Sequence, residues 1–223
     1  MIRLKLVLIG VGIALGFIGY QEYTVSQKAS FPAAKVELQS IEDSAELSNN
    51  FIRIGSHWAV YPGSIYEYEM DKYETGEPDD KTKVNFTYYP IVSESHPYVI
   101  QLSELFDRYG DEASIPENEW PEFEQFSVLV KSKRFKTIGS IPLEWMDESS
   151  LEGLVINKIK TLTTEEASLL RESFPQIDLN KVLIVEDGRK PSSQAKSIGM
   201  LGGGSFLCLL GLFLLFKRRT ASY

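Results

Sequence analysis

LGGGSFLCLLGLFLLFKRR, residues 201–219, sets three glycines before an apolar run that ends in three positive charges. It reads either as a phosphate-binding loop or as a membrane span. A phosphate loop carries a lysine directly after its last glycine, then Ser or Thr. Here Gly204 is followed by Ser205 and Phe206, and the next lysine is Lys217. The spacing excludes the nucleotide reading. No charge occurs from Ile198 to Phe216, and at about 1.5 Å per residue a helix over that stretch reaches roughly 28 Å, close to the hydrocarbon thickness of a bilayer. A core helix of similar length would carry a polar face, whereas this one offers only Ser205 and Cys208. We therefore expect a transmembrane helix over 198–216, followed by a tail over 217–223.

A second apolar run, Leu6 to Tyr20, follows Arg3 and Lys5. Its shortness and basic start also fit a cleaved signal peptide. Cleavage after Gly16, with Ala14 as the other small residue, would leave an apolar region of only about eight residues, and Thr24 with Ser26 is a poorer pair. The expected reading is an uncleaved anchor over 1–20, with Arg3 and Lys5 snorkelling at one face and Tyr20 and Tyr23 at the other.

Charge sets the expected orientation. All 31 acidic residues lie between Glu22 and Asp187, against 17 basic residues in 21–190, while the two ends hold six basic residues and no acid. Basic residues beside a span are retained in the cytoplasm. Both termini are thus expected inside, with Arg3, Lys5, Lys217, Arg218 and Arg219 as topology determinants and Lys196 alone on the other side. The middle of the chain is then periplasmic or extracellular. We divide it into a linker over 21–30, a domain over 31–191 and a second linker over 192–197. The few residues outside the spans leave little room for an inward signalling domain.

The glycines recur in the helices. Gly12 and Gly16 are four apart, as are Gly199 and Gly203, so each span has a small-residue stripe suited to close helix packing. The stripes would serve packing of the two spans on each other, self-association, or contact with a protein partner in the bilayer. Glycine is also simply commoner in membrane helices.

The domain, about 160 residues, suffices for one core. The chain's single cysteine, Cys208, lies in the membrane run, so no disulfide staples the domain. Its acidic balance argues against nucleic acid as a partner, which would need a basic face, and against the domain lying on anionic lipid.

SIYEYEM (64–70) and KVNFTYY (83–89) alternate, with DKYETGEPDDKT between them, and predict a hairpin with Tyr66, Tyr68, Val84, Phe86 and Tyr88 on a buried face. Such aromatic alternation occurs in carbohydrate-binding surfaces, but more often packs a sheet on its core. Further strands are expected at 35–41, 51–54, 126–135, 153–159 and 181–186. Helices are expected at 163–174, with Thr163 and Glu166 as a capping box, and at 98–109, with Val99, Leu102, Leu105 and Phe106 inward, although YVIQL (98–102) reads equally as a strand. The expected fold class is α+β: a mainly antiparallel sheet or partly closed barrel with one or two helices, flanked by two transmembrane helices.

No motif names a chemistry. His57 (RIGSHWAVYP) and His96 (SESHPY) each neighbour a serine, but catalytic groups meet in space rather than in sequence, and no G-x-S-x-G elbow accompanies either. Metal-binding histidine spacing is missing. Asp71 with Gly76 imitates a calcium loop, yet Tyr73 and Thr82 fall where oxygen ligands belong. No catalytic residue, metal or cofactor is assigned. DEASIPENEWPEFEQF (111–126) mixes six acids with Trp120, Phe123 and Phe126 and no base. Glu119, Trp120, Glu122 and Phe123 form a candidate partner surface, aromatics anchoring and charge steering. The alternative is a solvated loop with its aromatics in the core, and that is the commoner arrangement.

The expected function is a two-span membrane protein whose acidic outer domain serves an interaction, accessory or assembly role. The alternative is an extracytoplasmic enzyme or ligand sensor, which for the enzyme requires His57 and His96 to converge with carboxylates.

Overall fold

A computed structural model describes residues 2–69, 77–121, 123, 125–158 and 164–216. The chain forms two units, Met1–Phe31 with Pro191–Tyr223, and Pro32–Lys190. In chain order the elements are α1 (Ile2–Lys28), β1 (Ala34–Val36), α2 (Leu38–Glu42), β2 (Phe51–Ile54), β3 (His57–Val60), β4 (Ile65–Tyr68), β5 (Val84–Val92), α3 (Pro97–Tyr109), β6 (Val128–Ser132), β7 (Trp145–Glu148), β8 (Leu151–Val155), α4 (Thr164–Ser173), β9 (Leu183–Asp187) and α5 (Gln194–Phe216).

In the first unit, α1 and α5 are both long and apolar enough to cross a membrane. The helix α1 continues to Lys28, through the stretch expected to be a linker. Nothing there breaks it: residues 21–30 contain no glycine or proline, and the hydroxyls of Thr24 and Ser26 bond back to the carbonyls of Tyr20 and Tyr23 at 3.1 and 2.8 Å. Likewise α5 starts inside the second expected linker, just after Pro191 and Ser193, whose Oγ accepts from the Lys196 amide at 3.3 Å as an N-cap does. The two helices pack antiparallel. Gly19 abuts Leu201, Gly12 abuts Gly204 and Cys208, and Gly211 abuts Ile9.

The second unit is α+β. One sheet of nine strands, curled and open as a half-barrel, runs β1-β2-β8-β9-β6-β5-β3-β7, with β4 also paired to β5. Among the described residues only β1–β2 and β6–β9 are parallel. The long strand β5 carries β4 and β3 on one edge, at Ile65–Tyr68 and Trp58–Ala59, and β6 on the other. The inner face holds the main core, including Ile52, Ile54, Ala59, Tyr89, Val128, Val130, Val155 and Val185. The outer-face residues Phe51, Tyr88, Leu129, Leu154 and Ile184 are buried too. Over part of that face lies α4, with Leu170 buried, Phe174 against Phe126 at 5.1 Å and Glu166 accepting from the Tyr88 hydroxyl at 3.1 Å. Burial on both faces explains the nearly continuous apolar runs VLV and LIV.

Several local expectations change. The stretch 35–41 is not one strand: β1 ends at Val36 and α2 begins, because Leu38 and Ile41 reach the core at helical spacing. The hairpin is present, but a bulge between Glu67 and Tyr68 shifts the register of β5. Val84 joins Tyr89 and Ile91 in the inner core, while Phe86 and Tyr88 meet Lys131 at ring distances of 3.9 and 5.4 Å. Val84, Phe86 and Tyr88 therefore do not share one face. Met70, Asp71, Tyr73, Gly76 and Thr163 lie outside the described residues. The helix α3 forms as expected, closed by Gly110 at φ 82°, but Phe106 is exposed and only Leu105 is fully inward. Strands β3 and β7 are additional to the expected ones.

Candidate interaction surface

Among the described residues strand β7 ends the sheet and pairs only with β3, placing Trp145 opposite Val60, Met146 opposite Ala59, Asp147 opposite Trp58 and Glu148 opposite His57. Successive side chains alternate between faces, so Met146 and Glu148 lie on the inner side with Ala59, and Trp145 and Asp147 on the outer side. Both faces pin the strand. On the outer side Trp145 stacks on Tyr98 of α3, rings 4.9 Å apart and 3° from parallel, and meets Phe123 edge-on at 5.5 Å. Phe123 in turn stacks on Phe126, and Phe126 meets Phe174. A string of rings thus joins β7, α3 and the end of α4.

On the inner side Glu148 is gripped by Arg134. Nη2 donates to Oε1 at 2.8 Å and Nη1 to Oε2 at 3.1 Å, the bidentate fork that suits guanidinium and carboxylate. Tyr61 donates its hydroxyl to Glu148 Oε1 at 2.9 Å and accepts from Arg134 Nη2. The guanidinium also lies 4.9 Å from the centre of the Phe135 ring. The hydrogen bond from Arg134 holds the Glu148 carboxyl below the usual range, and burial is the leading cause that raises the Tyr61 hydroxyl and pushes Tyr89 up to about 12.

This network predicts an acid dependence. The depressed carboxyl of Glu148 contributes stability that is complete above its ordinary value of 4.5 and is lost as the pH falls through the lower folded value. Glu148→Gln is expected to cost about 1–2 kcal/mol at neutral pH, between exposed and buried ion pairs because Arg134 is partly solvated. Urea melts at successive pH values should show the wild-type and variant curves converging in acid. Parallel curves would contradict it.

Between these two anchors the surface is apolar. Leu143 is 87% exposed, more than any other large hydrophobic side chain among the described residues, and Met146 is 45% exposed. With half-buried Trp58 and Trp145 they line an open cleft of about 630 Å³. Exposed Glu144 and Asp147 border it and enter no ion pair among the described residues.

Each histidine has its own partners. His57 is buried with Nδ1 2.7 Å from the Gly55 carbonyl. His96 caps α3, its Nδ1 accepting from the Tyr98 amide at 3.3 Å, and it bonds the Gln125 backbone. Burial lowers its pKa, against a smaller opposing pull from Glu42. Among the described residues no three metal-ligating side chains gather. Of the acidic–aromatic stretch, Glu119 is tied to α3 by Tyr109 at 2.9 Å and Arg108 at 3.1 Å, Trp120 is half-buried and Phe123 belongs to the ring string. Glu119 and Phe123 thus have partners within the domain while both stay partly exposed. Glu122 lies outside the described residues.

In the helical pair, Gly12 faces α5 directly. A Cβ at Gly204 would fall 2.6 Å from the Gly16 amide nitrogen, whereas Gly16, Gly199 and Gly203 themselves point into open space. Sequence spacing missed Gly19, Gly204 and Gly211, which do meet the opposite helix. Lys5 donates Nζ to the Leu214 carbonyl near the end of α5, satisfying an end-of-helix acceptor with a favourable charge. Arg3 sits in the first turn of α1, and Lys217, Arg218 and Arg219 lie outside the described residues. No protein family, curated protein or solved structure matches the chain.

Proposed function

We propose that this chain is a two-span membrane protein, both termini cytoplasmic, whose acidic domain stands in the periplasm or extracellular space and binds another membrane component as an interaction, accessory or assembly protein. The observation that carries the reading is the group of exposed apolar side chains at the β7 edge. Leu143, just before β7, and Met146, on it, are exposed beside half-buried Trp145 and Trp58 of β3, and exposed apolar side chains gathered at one cleft support an interaction site. Charge supports the orientation: the acids are confined to the middle of the chain and basic residues flank the spans. Crosslinking in native membranes before mild-detergent purification tests the role. A second protein should be captured reproducibly with the wild-type chain. A monomer without partners across several detergents contradicts it.

A further inference from the structure

We propose that the outer edge of β7 accepts an extended basic segment of the partner as an added strand, an inference that rests on the interaction role above. The two ends of the sheet differ in how they are protected. At the far end, β1 has three residues, Lys35 is exposed and Pro32 precedes it. Short length, lysine and proline are the usual devices that stop an edge from recruiting another strand. At the near end, β7 has four residues, follows Pro142 and carries no lysine; among the described residues its backbone pairs with β3 alone, and the Trp145–Tyr98 stack and the Glu148–Arg134 fork anchor its two faces.

Charge selects the occupant. Residues 141–152 contain Glu144, Asp147, Glu148 and Glu152 and no basic residue. Glu148 is neutralised by Arg134, and Glu152 by Arg53 and Lys190, which leaves Glu144 and Asp147 for a newcomer. A second copy of this chain would bring the same acids against them, and like charges across a strand pair are unfavourable. A lysine or arginine on the outer face of such a segment meets Asp147, its alternate apolar positions cover Met146 on the inner face, and Leu143 and Glu144 stand just before the start of β7. Main-chain bonds supply the affinity and the side chains the choice of partner.

The test uses the full chain in nanodiscs of zwitterionic lipid and a short fluorescent peptide of alternating lysine and valine, with empty nanodiscs as the blank. Binding is read by anisotropy. The peptide should bind, and affinity should fall about tenfold or more when glutamate replaces its lysines, when its alternate amides are N-methylated, and when the protein carries Leu143→Ser. Glu144→Lys with Asp147→Lys should reverse the preference toward the glutamate peptide. Equal binding of the N-methylated peptide would reduce the effect to charge alone and overturn strand addition. So would undiminished binding to Leu143→Ser, no binding to a chain of unchanged circular dichroism, or a dimer of the chain that Leu143→Ser dissolves. A partner captured in membranes alongside a failed peptide assay would retain the interaction role and move it to another surface. Failure of both would remove the role itself.

Discussion

Gly204→Leu will separate α1 from α5, while Gly203→Leu, one residue away, will leave them packed. A Cβ at Gly204 meets the Gly16 nitrogen at 2.6 Å and the Gly12 carbonyl at 2.7 Å. Both obstacles are helix backbone, so no rotamer change relieves the clash, and the helices must move apart. Close backbone approach is what stabilises helix pairs in lipid, where hydrophobic burial gives no net drive. We expect a loss of roughly 3 kcal/mol, the upper end of overpacking costs. At Gly203 a Cβ meets nothing within 4 Å, and the change should be nearly neutral for the pair. Spin-label distances between the helices, with thermal aggregation in detergent, would show a widened pair only for Gly204→Leu. Equal behaviour of the two variants would contradict the packing.

Gly153→Val will destabilise the domain by a similar amount for a different reason. Gly153 lies in β8 opposite Asp187 of β9, and an added Cβ would come within 2.5 Å of the Glu186 carbonyl oxygen and 2.7 Å of Val185 Cγ1. Valine favours strands in general, so propensity alone predicts a gain. The crowding reverses that sign, because the neighbour is the paired strand itself at the centre of the sheet. A cost of roughly 3 kcal/mol corresponds to a fall of roughly 6–12 °C in the melting temperature for a domain of this size. Gly55→Ala, with open space around its Cβ, should stay within about 0.5 kcal/mol of wild type. Thermal melts of the full chain in detergent separate the two outcomes.

These contrasts show what the linear sequence conveys. Uncharged length announced α1 and α5, alternation announced the β4–β5 hairpin, and short apolar runs announced the strands β2, β6, β8 and β9, since each depends on neighbours within a few residues. The edge strand did not announce itself. WMDE carries acids at Asp147 and Glu148 and follows Pro142, and nothing local shows that Glu148 finds its cation at Arg134 and a hydroxyl at Tyr61. The exposure of Leu143 depends on where the sheet stops, a property of topology rather than of spacing. Spacing of four picked out Gly199 and Gly203, yet which face of α5 meets α1 is set by crossing geometry, and it selected Gly204 and Gly211 instead. The bulge at Glu67–Tyr68 likewise moved Val84 to the face opposite Phe86, because one extra residue inverts every side chain beyond it.

The measurement that bears most directly on the account is the side of the membrane on which the domain lies. Ser149 is exposed beside β7, and the chain's own thiol, Cys208, is removed by Cys208→Ala. A membrane-impermeant maleimide applied to spheroplasts bearing the Ser149→Cys, Cys208→Ala chain should label it fully before lysis. Labelling that appears only once the membrane is opened would contradict the account.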